Sequence, residues 1–214
     1  MSVRFCACAC VGLLVFGSVG SAAGTDARLA EAAKREDRSA IRSLLDQKAE
    51  VNAALPDGST ALHWAVQADD LESVNLLLGA GANVKAANRY GVTPLHLATS
   101  NGNVTILQRL LKAGADPDAR DASGETLLMM AVRTGRLDSV ASLVERGASV
   151  NATDTATRTT PLMWAVRSNN LAAARLLIEH GATVDATTRV GETPRWVPGN
   201  AGGGSHGLGI VRGA

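Results

Sequence analysis

Residues 91–118 read GVTPLHLATSNGNVTILQRLLKAGADPD, and this stretch decides the fold. Thr93 precedes Pro94, a pair suited to a helix N-cap followed by the first helical position, where a missing N–H costs nothing. The alanine-bearing run that follows predicts a short helix over 94–100. Asn101-Gly102-Asn103 breaks it, and Val104, Leu107, Leu110 and Leu111 then form one apolar stripe at helical spacing. Gly114 is placed to stop this second helix from the C′ position. Just upstream, Tyr90-Gly91 supplies a turn whose glycine tolerates positive φ.

The unit recurs along the chain. Thr60-Ala61-Leu62-His63, Thr93-Pro94-Leu95-His96, Thr126-Leu127-Leu128-Met129, Thr160-Pro161-Leu162-Met163 and Thr193-Pro194 follow at steps of 33, 33, 34 and 33 residues. Gly81, Gly114, Gly147 and Gly181 keep the same step as helix stops. First helices are expected over 61–68, 94–100, 127–134 and 161–168. Leu71, Val74, Leu77 and Leu78 repeat the stripe of the second helix. A pair of such short helices cannot bury its own apolar face, but stacked neighbours can. The fold class is therefore an all-α repeat solenoid with hairpin loops between helix pairs.

These residues resemble the ankyrin repeat: Gly-x-Thr-Pro-Leu-His-x-Ala, then Leu-Leu-x-x-Gly-Ala, matched nearly throughout by 91–118, with the likeness extending from about Asp26 to Pro194. Residues 24–53 fit an N-terminal capping repeat without the hairpin motif, with Lys34, Arg35, Glu36, Asp37 and Arg38 keeping its inter-helix turn polar. Four full repeats are expected over 54–186, the fourth carrying one extra residue in its hairpin at 153–159. Residues 187–198 form a partial repeat, because Arg195-Trp196 and Pro198 replace the helical continuation. Residues 199–214 read as a Gly-rich flexible tail or linker. With no second helix or polar cap after Pro194, either a short segment around Trp196 protects the last full repeat or the chain is the front of a longer array; the second is favoured.

The remaining composition narrows the class. Of 214 residues, 46% are hydrophobic and 19% charged, with 21 Lys+Arg against 20 Asp+Glu. A formal charge of +1 gives no electrostatic reason to expect nucleic acid or an anionic membrane as partner. Residues 1–23 have the order of a signal peptide: Arg4, an apolar run from Cys6 to Val19, then small residues with a cut after Ala22 or Ala23. All three cysteines, Cys6, Cys8 and Cys10, lie in that leader. Its removal leaves a nearly neutral, cysteine-free chain of an exported protein, with 17 Arg to 4 Lys in the whole sequence suiting a bacterial periplasm, and secretion as the alternative. No membrane association is expected after leader removal, and the chain is expected to be a monomer.

The ankyrin resemblance implies a non-catalytic protein-binding module that recognises its partner through hairpin tips and the face of the inner helices. It also implies that His63 and His96 hydrogen-bond neighbouring backbone. The equivalent positions hold Met129 and Met163, which argues against a metal site, and no catalytic residue, cofactor or metal is expected. No nucleophile elbow, metalloprotease helix or phosphate loop occurs in the sequence. Trp64 and Trp164 share a column with Leu97 and Met130 and are assigned to the core. Tyr90, at a turn where the scaffold demands no aromatic, is a contact candidate. Aligned columns bring Arg89, Arg133, Arg158, Arg167 and Arg189 to what the resemblance implies is the concave side, so a basic groove accepting an acidic protein surface is expected. The competing reading is an enzyme or small-molecule binder whose site lies in further C-terminal sequence.

Overall fold

The computed structural model describes residues 26–197 and 207–212, with side chains from 26 to 194. Among these residues ten helices alternate as inner and outer members of five pairs: α1 (Arg28–Lys34), α2 (Arg38–Asp46), α3 (Ala61–Gln67), α4 (Leu71–Gly79), α5 (Pro94–Asn101), α6 (Val104–Lys112), α7 (Leu127–Arg133), α8 (Leu137–Glu145), α9 (Pro161–Arg167) and α10 (Leu171–Glu179). Inner helices α1, α3, α5, α7 and α9 pack each on the next, and so do the outer helices α2, α4, α6, α8 and α10. The chain is thus a solenoid of helix pairs. The expected leader, residues 1–23, lies outside the described residues, as does the whole stretch 198–206. Among the described residues no helix is long and apolar enough to cross a membrane.

The periodic sequence makes a periodic core. Leu62, Leu95, Leu128 and Leu162 occupy one inner column, and Leu77, Leu110, Leu143 and Leu177 one outer column, all buried. A fully buried leucine is worth roughly 1.5–3 kcal/mol relative to an exposed one, so each repeat contributes stability chiefly through its interfaces. Chain direction is set by caps. Thr60, Thr93, Thr126 and Thr160 are the extended N-cap residues of α3, α5, α7 and α9, with Pro94 and Pro161 buried in the first turns that follow. Asp37, Asp70, Asn103 and Asn170 cap α2, α4, α6 and α10 by accepting the N–H three residues on.

Gly81, Gly114, Gly147 and Gly181 lie at φ of +87°, +92°, +87° and +86°. The N–H of Gly81 donates to Leu78 O and that of Ala82 to Leu77 O, a Schellman closure repeated at the other three. In the first pair Lys48 takes the same role at φ +58°, a conformation that costs an L side chain energy.

The hairpins close over four residues at Leu55 to Ser59, Asn88 to Val92, Asp121 to Glu125 and Thr188 to Glu192, but over five from Asp154 to Thr159. The extra residue of the fourth unit therefore sits in its hairpin, with Arg158 turned to φ +61° to accommodate it.

At the C-terminal end Thr193-Pro194 opens no helix, in line with the break at Arg195-Trp196 and Pro198: Glu192–Val197 is a strand, β1. Pro198 forces Val197 into extended backbone and would lack the N–H that a helix continuing from Pro194 requires. Gly207–Arg212, expected within a flexible tail, is instead a second strand, β2, paired antiparallel with Glu192 opposite Arg212 and Val197 opposite Gly207. Leu208, Ile210 and Val211 supply strand propensity to the second. Both strands pack against α9.

Candidate partner-binding face

Each hairpin is fixed by a short polar side chain that accepts its own backbone. Asp121 Oδ1 accepts the N–H groups of Ser123 and Glu125, at 2.9 and 3.0 Å. Asp154 accepts those of Ala156, Thr157 and Thr159. Burial alone would raise both carboxyls, but these donors outweigh it and hold each below the usual carboxylate range. Some neighbouring hairpins are hooked together: Arg89 N–H donates to Asp57 O and Arg189 N–H to Thr157 O, each at 2.9 Å, and Thr155 Oγ1 donates to Ser123 O at 3.2 Å. The tips line one edge of the solenoid as a rim.

Behind the rim lie the imidazoles. Thr60 N–H donates to His63 Nδ1 at 3.1 Å, which fixes the hydrogen on Nε2, and Nε2 donates to Val92 O of the next unit at 3.0 Å. His96 Nδ1 accepts from Thr93 N–H in the same way, but its buried Nε2 makes no well-formed hydrogen bond, only a weaker approach to the Arg120 backbone. Burial pushes both imidazoles below the usual histidine value. Met163 Sδ replaces the imidazole opposite Thr160 N–H at 3.4 Å, and Met129 is buried at the remaining position. Of these contacts the His63 Nε2 bond to Val92 O crosses to the next repeat, while the threonine contacts close the helix start within one repeat. Among the described residues no group of three His, Cys, Asp or Glu is placed to hold a metal ion.

The structure separates the expected basic column into different environments. Arg133 makes a two-point contact with Glu125 at 3.0 and 3.3 Å, and Glu125 is only 13% exposed, so this cation is matched within its own repeat. Arg167 lies with its guanidinium 5.2 Å from the centre of the Trp164 ring. Arg89, Arg158 and Arg189 are exposed on three hairpins, the last donating to Thr155 O at 3.2 Å. Tyr90 is 70% exposed on the second hairpin. Arg133 and Arg167 thus share a face of adjacent inner helices, while the other three line the rim.

Trp64 and Trp164, expected in the core, pack against it with their indole N–H groups buried, but part of each side chain stays exposed, so both are half-buried like Leu97 and Met130 of the same column. Lys34 Nζ stands 5.1 Å from the centre of the Trp64 ring, mirroring Arg167 on Trp164. A cavity of about 190 Å³ opens between rim and inner helices, lined by Asp57, Asn88, Trp64, Gln67 and Leu97. The 33-residue period exposed the column itself. Its partial exposure depends on how far the rim stands off the helices, which no local pattern encodes.

A family model described as ankyrin repeats (3 copies) matches residues 29–121 and again 105–188. The chain belongs to the ankyrin repeat family. Among curated proteins none matches this ankyrin chain. Ankyrin repeats are generally protein–protein interaction modules, and their all-helical scaffold is typically non-catalytic.

Proposed function

We infer that this ankyrin protein is an exported binding module, working as a monomer in a bacterial periplasm or secreted, and that it holds an acidic protein partner between its hairpin tips and its concave inner-helix face. The observation that carries the reading is the contrast between that face and the rest of the solenoid. The column of Trp64, Leu97, Met130 and Trp164 is half-covered, with Lys34 and Arg167 over its end members, whereas the column beside it is fully buried. Exposed Arg89, Tyr90, Arg158 and Arg189 on the rim add arginine and tyrosine, residue types that dominate interface energetics. The leader-like order of residues 1–23 supports export.

The test is capture from the native exported fraction on the chain beginning near Gly24, beside an Arg133→Glu/Arg167→Glu variant. A specific acidic protein held by the first and lost by the second is expected. Arg133→Glu is a severe change, since it sets a carboxylate against Glu125 at the position of the present pair. Equal capture by both baits overturns the concave site. Mass analysis of the exported chain should give an N-terminus at residue 23 or 24, and an intact Met1 overturns leader removal.

A further inference from the structure

The half-buried column has a pitch, and the pitch selects a ligand conformation. Trp64, Leu97, Met130 and Trp164 sit at equivalent positions of α3, α5, α7 and α9, helices that pack each on the next. Packed helices stand about 8–10 Å apart, so the column offers four apolar contacts over roughly 24–30 Å. A polyproline II chain has three residues per turn and a rise of about 3.1 Å, which returns a side chain to the same face every ~9.3 Å. Nine residues of it span about 28 Å, the length of the column. A β-strand presents one face every ~6.7 Å, and an α-helix returns after seven residues at about 10.5 Å with a body 10–12 Å wide; both drift out of step with the four contacts.

Charge marks the two ends. Lys34 lies over the indole of Trp64 and Arg167 over that of Trp164, while Arg133 between them is matched by Glu125. Among the described residues Lys34 and Arg167 at the ends of the column make no direct ion pair, unlike Arg133 in its middle, although Asp57 stands near enough to Lys34 for the cation to lower its carboxyl. The cavity between Trp64 and Leu97, about 190 Å³, holds the volume of some six waters at about 30 Å³ each, space for one aliphatic or prolyl side chain.

We propose that the concave face binds a polyproline II segment of a protein partner carrying an apolar residue at every third position over about ten residues, with acidic residues flanking both ends. This rests on the binding-module reading above and names the chemistry of its partner. Aromatic-lined grooves that accept proline-rich segments gain from the low conformational entropy of this helix, and the two tryptophans, one at each end, provide that lining. The acidic flanks fall against Lys34 and Arg167.

The probe is a fluorescein-labelled synthetic peptide, Asp-Glu-(Leu-Pro-Pro)3-Leu-Asp-Glu, titrated with the purified chain and followed by anisotropy. Two controls have the same flanks: one of identical composition with the leucines at alternate positions, and one alanine-rich helical peptide with leucines at i and i+7. The three-residue repeat is expected to bind at least tenfold tighter than either control. Met130→Glu should weaken it at least tenfold, whereas Arg175→Gln, exposed on the outer helix α10, should change it less than twofold. Lys34→Gln/Arg167→Gln, exposed changes that leave the core intact, should weaken binding severalfold at low salt and flatten its salt dependence. A thermal melt of each variant establishes that it is folded. Equal binding of all three peptides, preference for a control, or no binding overturns the proposal. If these occur while the native partner is still captured and lost with the Arg133→Glu/Arg167→Glu bait, the polyproline II assignment fails and the binding-module reading stands.

Discussion

At the N-terminal end of the solenoid, α2 presents Ser39, Ser43, Asp46 and Gln47 to solvent, while at the other end α10 presents Leu171 and Ile178, 49% and 48% exposed, with Val184 beyond it at 55%. The residues of α10 are those of an interior repeat. Leu111 and Val144, which occupy the position of Ile178 in the two preceding units, are 6% and 8% exposed because another outer helix stacks on them. Arg42, the counterpart of Arg175, pairs with Glu72 of the following outer helix. The β1–β2 ribbon packs on α9, the inner helix of the last pair. The comparison teaches that in a solenoid a side chain's burial belongs to its neighbour as much as to its own repeat.

The sharpest way to break this comparison is to make one substitution in one column at two places. Leu111→Ala should cost about 2–4 kcal/mol by denaturant unfolding, from lost burial plus the cavity left behind. Ile178→Ala should cost less than about 1 kcal/mol. Equal losses would mean that α10 is covered in solution by something that stacks on it.

A second pair tests the helix stops. Gly147→Lys should lose about 1–2 kcal/mol, since φ of +87° penalises a side chain. Lys48→Gly at φ +58° should instead gain about 0.5–1 kcal/mol, read as a rise in the unfolding midpoint. No gain would show that the first pair relaxes its own end.

The imidazole and methionine units differ in pH response. Burial lowers the folded-state pKa of His63 and His96 below the usual value of about 6.5. Their contribution is fully present above about 6.5 and is lost as pH falls from there through the folded-state values, because the unfolded chain takes up the protons first. His63→Met/His96→Met, copying Met129 and Met163, should flatten stability between neutral pH and that lower range. Asp70 behaves separately: burial would raise its carboxyl, but Arg38 and Ser73 together hold it below the usual range, so its contribution fades only as pH drops below about 4. A pH profile unchanged by the double substitution would contradict the burial argument.

The smallest effect concerns the surface pair. Glu72→Gln should cost no more than about 1 kcal/mol, as exposed ion pairs do. Arg175→Gln, with no outer helix following α10 among the described residues, should cost nothing measurable in the same unfolding experiment. A larger loss at Arg175 than at Glu72 would reverse the difference between the two ends.

Much of this architecture is legible because each repeat is a local unit. Thr93-Pro94 sets one helix start, Gly114 one helix stop, and the step of 34 between Thr126 and Thr160 foretells an extra hairpin residue between Asp154 and Thr159. The pairing of Arg133 with Glu125 was hidden, since residues eight apart meet only when the hairpin folds back across the inner helix. The ribbon was hidden for a related reason: Thr193-Pro194 copies a helix start, and β1 finds its partner only across the glycine-rich stretch that follows. Trp64 and Trp164 gave an apolar signal that core and groove share.

The sequence by itself determined the period, the caps and stops of each helix pair, the apolar columns, and with them membership in the ankyrin repeat family, because these depend on residues a few positions apart. Only the tertiary structure decided which members of a column are covered, which arginines are already matched, and that the column from Trp64 to Trp164 stays partly exposed. Those properties arise between repeats, from the distance at which one helix pair stacks on the next and from the rim that hooked hairpins form above them.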